Sequence, residues 1–133
     1  MNKPSLDITE FLAALPRVGR LIGIDVGSKT LGLAVSDTTR MIATAIETIR
    51  RSKQSKDIEA LQAVIGRHDV VGCVVGYPLN LDGSKGPRVQ ATQAFARALQ
   101  VCVPLPLLLW DERLSTVAAE RALLEADTSR AKR

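Results

Sequence analysis

The lengths of the connections between apolar runs constrain this chain more than any single residue does. Apolar runs at 20–26, 31–36 and 41–49 are separated by Gly27-Ser28-Lys29-Thr30 and Asp37-Thr38-Thr39-Arg40. Connections this short join antiparallel neighbours, so the three runs predict a meander. Two further runs, at 70–76 and 103–110, are reached only through stretches long enough for a helix. A crossover through a helix makes the strands it joins parallel. The run Val70-Val71-Gly72-Cys73-Val74-Val75-Gly76 is short, apolar and rich in β-branched residues, which fits a strand buried on both faces. Pro104 and Pro106 fit an early or edge position of the last strand.

The helices read from periodicity. Ile58, Leu61, Val64 and Ile65 lie on one face of a helix over 56–67, with Ser55 as the expected N-cap. A second helix starts at Pro87, with Ala91, Phe95, Ala98 and Leu99 as its apolar stripe. A third runs from Ser115 or Thr116 to Glu125, and a short one covers 7–15 ahead of Pro16. The order is β-β-β-α-β-α-β-α, an α/β fold with a mixed five-stranded sheet and helices on both faces. Residues 20–126 form the expected domain. Residues 1–19 read as an N-terminal extension, and 127–133 as a basic tail that begins a further C-terminal segment.

A length of 133 residues suits one core. Aromatic residues are 3% of the chain, so aliphatic side chains must fill that core, and recognition by stacking bases on aromatic platforms is disfavoured. The formal net charge of +4 permits a polyanionic partner. With two cysteines, Cys73 and Cys102, outside any paired spacing, and one histidine, His68, a zinc site is not expected. Both thiols are expected to be free and buried, as in a reducing cytoplasm. No apolar run has the length of a membrane span and Met1-Asn2-Lys3-Pro4 opens no signal peptide, so a cytoplasmic location is expected.

Two acidic positions close two of the apolar runs: Asp25 after Leu21-Ile22-Gly23-Ile24, and Asp111-Glu112 after Leu105-Pro106-Leu107-Leu108-Leu109-Trp110. If the first and fourth strands are parallel, both positions reach the sheet edge where open α/β sheets bind ligands. Carboxylates there without histidine suit Mg²⁺ or Mn²⁺ and phosphodiester chemistry. Each acid also has a plainer reading: Asp25 as a cap of its own turn, Asp111 as an ion pair with Arg113. Asp37 ends a strand running the other way and reads as a turn residue. Gly27 would allow close backbone approach, Lys29 and Arg113 would meet phosphates, and the 83–86 segment leads to a helix N-terminus that receives anions. His68 reads as a surface residue.

Three segments carry a family resemblance: Ile22-Gly23-Ile24-Asp25-Val26-Gly27-Ser28-Lys29-Thr30-Leu31-Gly32-Leu33-Ala34-Val35-Ser36-Asp37, Val75-Gly76-Tyr77-Pro78-Leu79-Asn80-Leu81-Asp82-Gly83-Ser84, and Trp110-Asp111-Glu112-Arg113-Leu114-Ser115-Thr116. In order and spacing they resemble the YqgF/RuvX family. The resemblance implies a ribonuclease-H-like fold related to the Holliday-junction resolvase RuvC. It implies a cytoplasmic nuclease, dependent on Mg²⁺ or Mn²⁺, that matures the 5′ end of precursor 16S rRNA. It makes Asp25, Asp111 and Glu112 the expected catalytic and metal-binding residues, with the choice between Asp111 and Glu112 open. Gly27, Lys29, Asn80, Gly83, Ser84, Arg113, Ser115 and Thr116 are the expected substrate contacts. The family carries a further catalytic Asp beyond the third helix; Asp127 is too early for it, and it is expected in the segment that the basic tail begins. Partners are expected to be precursor 16S rRNA, or structured DNA, and a ribosomal particle, with the protein a monomer or homodimer. The alternatives are a Holliday-junction nuclease and a catalytically silent RNA- or protein-binding module. An actin-like or sugar-kinase ATPase also begins with a hydrophobic strand and Asp-x-Gly, but needs two such domains.

Overall fold

A computed structural model of the chain describes residues 4–77 and 86–111. In chain order its elements are α1 (Ile8–Ala14), β1 (Arg20–Val26), β2 (Thr30–Ser36), β3 (Ala43–Arg50), α2 (Gln54–Arg67), β4 (Val70–Tyr77), α3 (Pro87–Cys102) and β5 (Leu107–Asp111). The strands form one sheet in the order β3-β2-β1-β4-β5. The β1–β2 and β2–β3 pairs are antiparallel, and the β1–β4 and β4–β5 pairs are parallel. This is the mixed sheet that the connection lengths require and the ribonuclease-H-like arrangement that the resemblance implies. The expected third helix, at 115–125, lies outside the described residues.

Strand pleating divides the sheet into two unlike faces. Ile22, Ile24 and Val26 of β1, Leu31, Leu33 and Val35 of β2, and Cys73 and Val75 of β4 are buried with Leu107 and Leu109. The apolar stripes of α2 (Ile58, Leu61, Val64, Ile65) and α3 (Val89, Phe95, Ala96, Leu99) join the same core. The opposite face carries Gly23, Gly32, Ala34, Val74 and Gly76. Part of that face is covered from the N-terminal side. Ser5 forms a parallel bridge to Leu108: its N–H donates to the Leu107 carbonyl at 2.8 Å, and the Leu109 N–H donates to the Ser5 carbonyl at 2.7 Å. Asp7 caps α1 by accepting from the Thr9 and Glu10 amides, and Phe11 is buried over Gly72.

Gly72 is the contact on which that cover depends. A Cβ there would lie 2.5 Å from Leu15 Cδ2 and 3.0 Å from Leu21 Cδ2. Both atoms are ends of flexible side chains, so Gly72→Ala is expected to cost only about 1–2 kcal/mol. Gly72→Val is expected to lift α1 from the sheet. Limited proteolysis checks this: faster cleavage within residues 4–19, with the remaining core intact, is the expected result, and an unchanged digestion pattern would refute it.

Several sequence expectations shift at the ends of elements. The N-cap of α2 is Lys53, not Ser55, and it makes no side-chain cap bond. Asp57 organises this start instead, accepting from the Ser52 amide at 3.0 Å. Strand β3 begins at Ala43 rather than 41, because Asp37-to-Ile42 closes a longer turn in which the Asp37 N–H donates to the Ile42 carbonyl. Strand β5 begins at Leu107 rather than 103. Helix α3 runs on to Cys102, Val103 caps it by donating to Leu99, and Pro104 and Pro106 bring no N–H to a ladder. Ala91 is exposed, and the buried α3 stripe runs instead through Val89, Thr92, Phe95, Ala96 and Leu99.

The two thiols also differ. Cys73 is buried and Cys102 is exposed at the end of α3, which corrects the expectation that both are buried. Burial pushes the Cys73 thiol up to about 12, so it stays neutral and unreactive through the physiological range. In the described part, which holds both cysteines, a maleimide is expected to label Cys102 in the native protein and Cys73 only after denaturation. Labelling of both at equal rates under native conditions would contradict this packing.

Candidate active site

Asp25 lies next to the end of β1, the central strand. Its neighbours Ile24 and Val26 enter the helix-side core, so Asp25 projects from the other face and is exposed. Its cross-strand partner is Gly32, where a Cβ would stand 3.6 Å from Asp25 Cβ. Around it the sheet forms an open concavity of about 580 Å³, floored by Gly23, Ala34, Val74 and Gly76 and bordered by Trp110. Small side chains on three adjacent strands leave room beside the carboxylate for a ligand of some size.

Asp111 reaches the same end of the sheet. The parallel register aligns Ile24 with Val75 and Val75 with Leu109, and Tyr77 with Asp111. Strands β1, β4 and β5 therefore end together, as expected from their directions. The pleat adds a distinction that run lengths alone do not make. Leu107 and Leu109 belong to the helix-side core, whereas Trp110 borders the concavity with Asp25. By alternation Asp111 takes the helix-facing parity of Leu109, one step out of phase with Asp25. It is half-buried.

The turn after Asp25 is held by its own backbone and by Arg51. Gly27 N–H donates to the Thr30 carbonyl at 2.9 Å, and a Cβ on Gly27 would sit 2.9 Å from that same oxygen. The close approach that glycine permits here is to the hairpin itself. Arg51, at the start of the β3–α2 connection, clamps the turn from outside. Its N–H donates to the Lys29 carbonyl at 2.9 Å, and its Nη1 donates to the Gly27 carbonyl at 2.8 Å. Its Nε pairs with Asp57 at 3.2 Å, and its guanidinium lies 5.4 Å from the centre of the Phe95 ring. Asp57 is 1% exposed.

Arg51, Asp57 and Arg88 were not legible as site residues. They come from the β3–α2 connection, α2 and α3, and no local motif links them. Asp37 behaves as expected. Its carboxylate accepts from the Met41 amide and the Thr39 hydroxyl, contacts that hold it below the usual carboxylate range. His68 is the C-cap of α2, away from this edge. Lys29 is exposed beside the turn. Asn80, Gly83, Ser84, Glu112, Arg113, Ser115 and Thr116 lie outside the described residues. Among the described residues no three His, Cys, Asp or Glu side chains cluster for a metal, and no helix is long and apolar enough to cross a membrane. The donors at this edge are carboxylate oxygens, which fit a hard divalent cation and not a soft one.

Known proteins resemble this chain in sequence over nearly its whole length. A protein from Cereibacter sphaeroides named "Putative pre-16S rRNA nuclease" is 60% identical over 126 residues, which cover 95% of this chain and 79% of that protein. A protein of the same name from Rhodobacter capsulatus is 58% identical over 130 residues, covering 98% of this chain and 80% of its own length. Among solved structures, Thermus thermophilus RuvC in complex with a Holliday junction substrate superposes with a TM-score of 0.48 at 15% identity, over 72% of this chain and 67% of that one. The family model described as "RuvX: Holliday junction resolvase" matches residues 19–133, and with these relatives it shows that the chain belongs to the RuvX family.

Proposed function

We propose that this protein is a metal-dependent nuclease that matures the 5′ end of precursor 16S rRNA in the cytoplasm. The observation that carries the proposal is the exposed Asp25 carboxylate at the end of the central strand, on an open, small-residue face, in a chain of the RuvX family. The names of its relatives supply the substrate.

Asp25 would hold the metal with a partner from Asp111-Glu112. A Mg²⁺ or Mn²⁺ held there would supply an activated water and charge stabilisation at the scissile phosphate. The remaining work falls to the chain. The floor of Gly23, Ala34, Val74 and Gly76 admits the strand, while Trp110 limits its approach from the β5 side. Arg51 keeps the turn at Gly27 in place through two backbone carbonyls, so Asp25 is presented from a fixed hairpin. Lys29, Arg113 and the segment carrying Asn80, Gly83 and Ser84 would contact phosphates, with Ser115 and Thr116 beside the acidic motif. Phosphate contacts set register without reading sequence, so specificity for one RNA end would come from shape or from a ribosomal particle.

The test is cleavage of a precursor 16S 5′-leader RNA with Mg²⁺, with Mn²⁺ and with chelator, beside a four-way DNA junction as competitor. Metal-dependent cleavage of the leader is expected. Cleavage of the junction alone would favour the second reading, a DNA-junction nuclease, which the description of the matching family supports. Mn²⁺ binding that is insensitive to Asp25→Asn would argue for a silent binding module.

A further inference from the structure

A second recess opens beside the turn after β1, on the opposite side of the sheet from the Asp25 concavity. It has a volume of about 470 Å³, and Val26, Lys29, Thr30, Arg51, Arg88 and Thr92 are among its lining residues. Three cations from three separate elements meet here. Arg51 and Arg88 are already fixed in place by backbone carbonyls: Arg51 Nη1 by Gly27 at 2.8 Å and Arg88 Nη2 by Val26 at 3.3 Å. A guanidinium carries five N–H donors, so these bonds orient each group without exhausting it. Among the described residues the carboxylate paired with the cluster is Asp57, bound to Arg51, so their positive charges outnumber it. The hydroxyls of Ser28, Thr30 and Thr92 add further donors among the lining residues. Helix α3 begins alongside at Pro87, and the positive end of its dipole has the same sign.

Preoriented guanidiniums, a lysine and hydroxyls suit a phosphate. Asp25 and Val26 are adjacent in sequence and project to opposite faces, so the carboxylate and this recess flank the two sides of one strand end. We propose that the Lys29–Arg51–Arg88 recess is a subsite for a backbone phosphate of the nucleic-acid strand, next to the phosphate that is cut. A strand laid across the end of β1 would then be gripped on the helix side and cleaved on the open side. Arg88 and Lys29 are positioning residues in this scheme, and Arg51 also keeps the turn in place. The inference rests on the nuclease reading for what happens at Asp25, but not for the binding itself.

The test measures RNA binding in chelator across a salt series, so that no cleavage occurs. Each lost phosphate contact should lower the slope of log affinity against log salt by about 0.7 for a single strand. The Lys29→Ala/Arg88→Ala double variant is expected to bind roughly tenfold more weakly, as for loss of a charge-assisted hydrogen bond, with the slope reduced. In cleavage assays its KM should rise while kcat is kept. Arg88→Lys should restore much of the slope, and Arg97→Ala, an exposed cation farther along α3, should change nothing. Unfolding midpoints of all variants check folding. An unaltered slope in a folded double variant, or an equal loss in Arg97→Ala, would overturn the proposal. So would complete displacement of RNA by millimolar inorganic phosphate at matched ionic strength, which would assign the recess to free phosphate. If the double variant loses RNA affinity but the wild type cleaves no precursor leader, the subsite stands and the assigned reaction falls.

Discussion

Asp25→Asn is expected to reduce cleavage of a precursor 16S leader by roughly two to four orders of magnitude while leaving the fold intact. The side chain changes by one atom, oxygen to nitrogen, at an exposed position on the open face, so no packing is lost. What is lost is a negative charge where a divalent cation would be held. Charge stabilisation by such a cation amounts to several kcal/mol, and each factor of ten in rate corresponds to about 1.4 kcal/mol. Three measurements check the claim together: single-turnover cleavage, Mn²⁺ affinity and the unfolding midpoint. Loss of activity with wild-type metal affinity would place the metal elsewhere. Activity within a few-fold of wild type would remove Asp25 from the reaction altogether.

Asp57→Ala is expected to have the largest effect on stability, a loss of about 3 kcal/mol. The carboxylate is 1% exposed and has two partners, Arg51 Nε at 3.2 Å and the Ser52 amide at 3.0 Å. Its removal leaves a guanidinium without its counter-ion at a site where only 23% of the Arg51 side chain is exposed. That residual solvent access is why the figure sits at the low end of values for a broken buried pair. For a chain of this size the midpoint should fall by roughly 10 °C. Denaturant unfolding of the single variants Asp57→Ala and Arg51→Met, and of the double variant, measures the coupling. If the double variant is no more stable than Asp57→Ala, the stranded charge is not what destabilises it. A loss below about 1 kcal/mol would refute the argument, being within the range of ordinary surface pairs.

The meander and the parallel β4–β5 pair were readable because they follow from connection lengths, which are explicit in the sequence, whereas the parallel β1–β4 pair was a condition that the structure meets. Two four-residue links and two helical crossovers admit few sheets, and the order β3-β2-β1-β4-β5 is one of them. The ends of elements were less readable because several residues compete for each end. Ser55 is a good cap by type, yet Asp57 reaches back to the Ser52 amide and α2 starts earlier. Pro104 and Pro106 read as part of a strand, yet pairing there begins only with the Pro106 carbonyl, which accepts from the Cys73 amide at 2.9 Å. Asp25 and Asp111 stood out because each closes an apolar run. Arg51, Asp57 and Arg88 did not, because a charged residue in a helix or loop reads as solvated until the tertiary structure places it. Asp57 even lies next to Ile58, where periodicity assigns the core to the neighbour alone.

The pleat of β1 makes the site intolerant of a particular kind of change. Asp25 and Val26 are one residue apart and serve opposite sides of the sheet. Inserting or deleting a single residue between Arg20 and Ile24 would exchange their places, driving a carboxylate into the apolar core beneath α3 and leaving a valine on the open floor. Most point substitutions in this strand alter one contact; a frame change of one residue inverts the whole strand. The evolution of this edge is therefore confined to substitution in place, and changes of length must be absorbed beyond Gly27 or before Arg20.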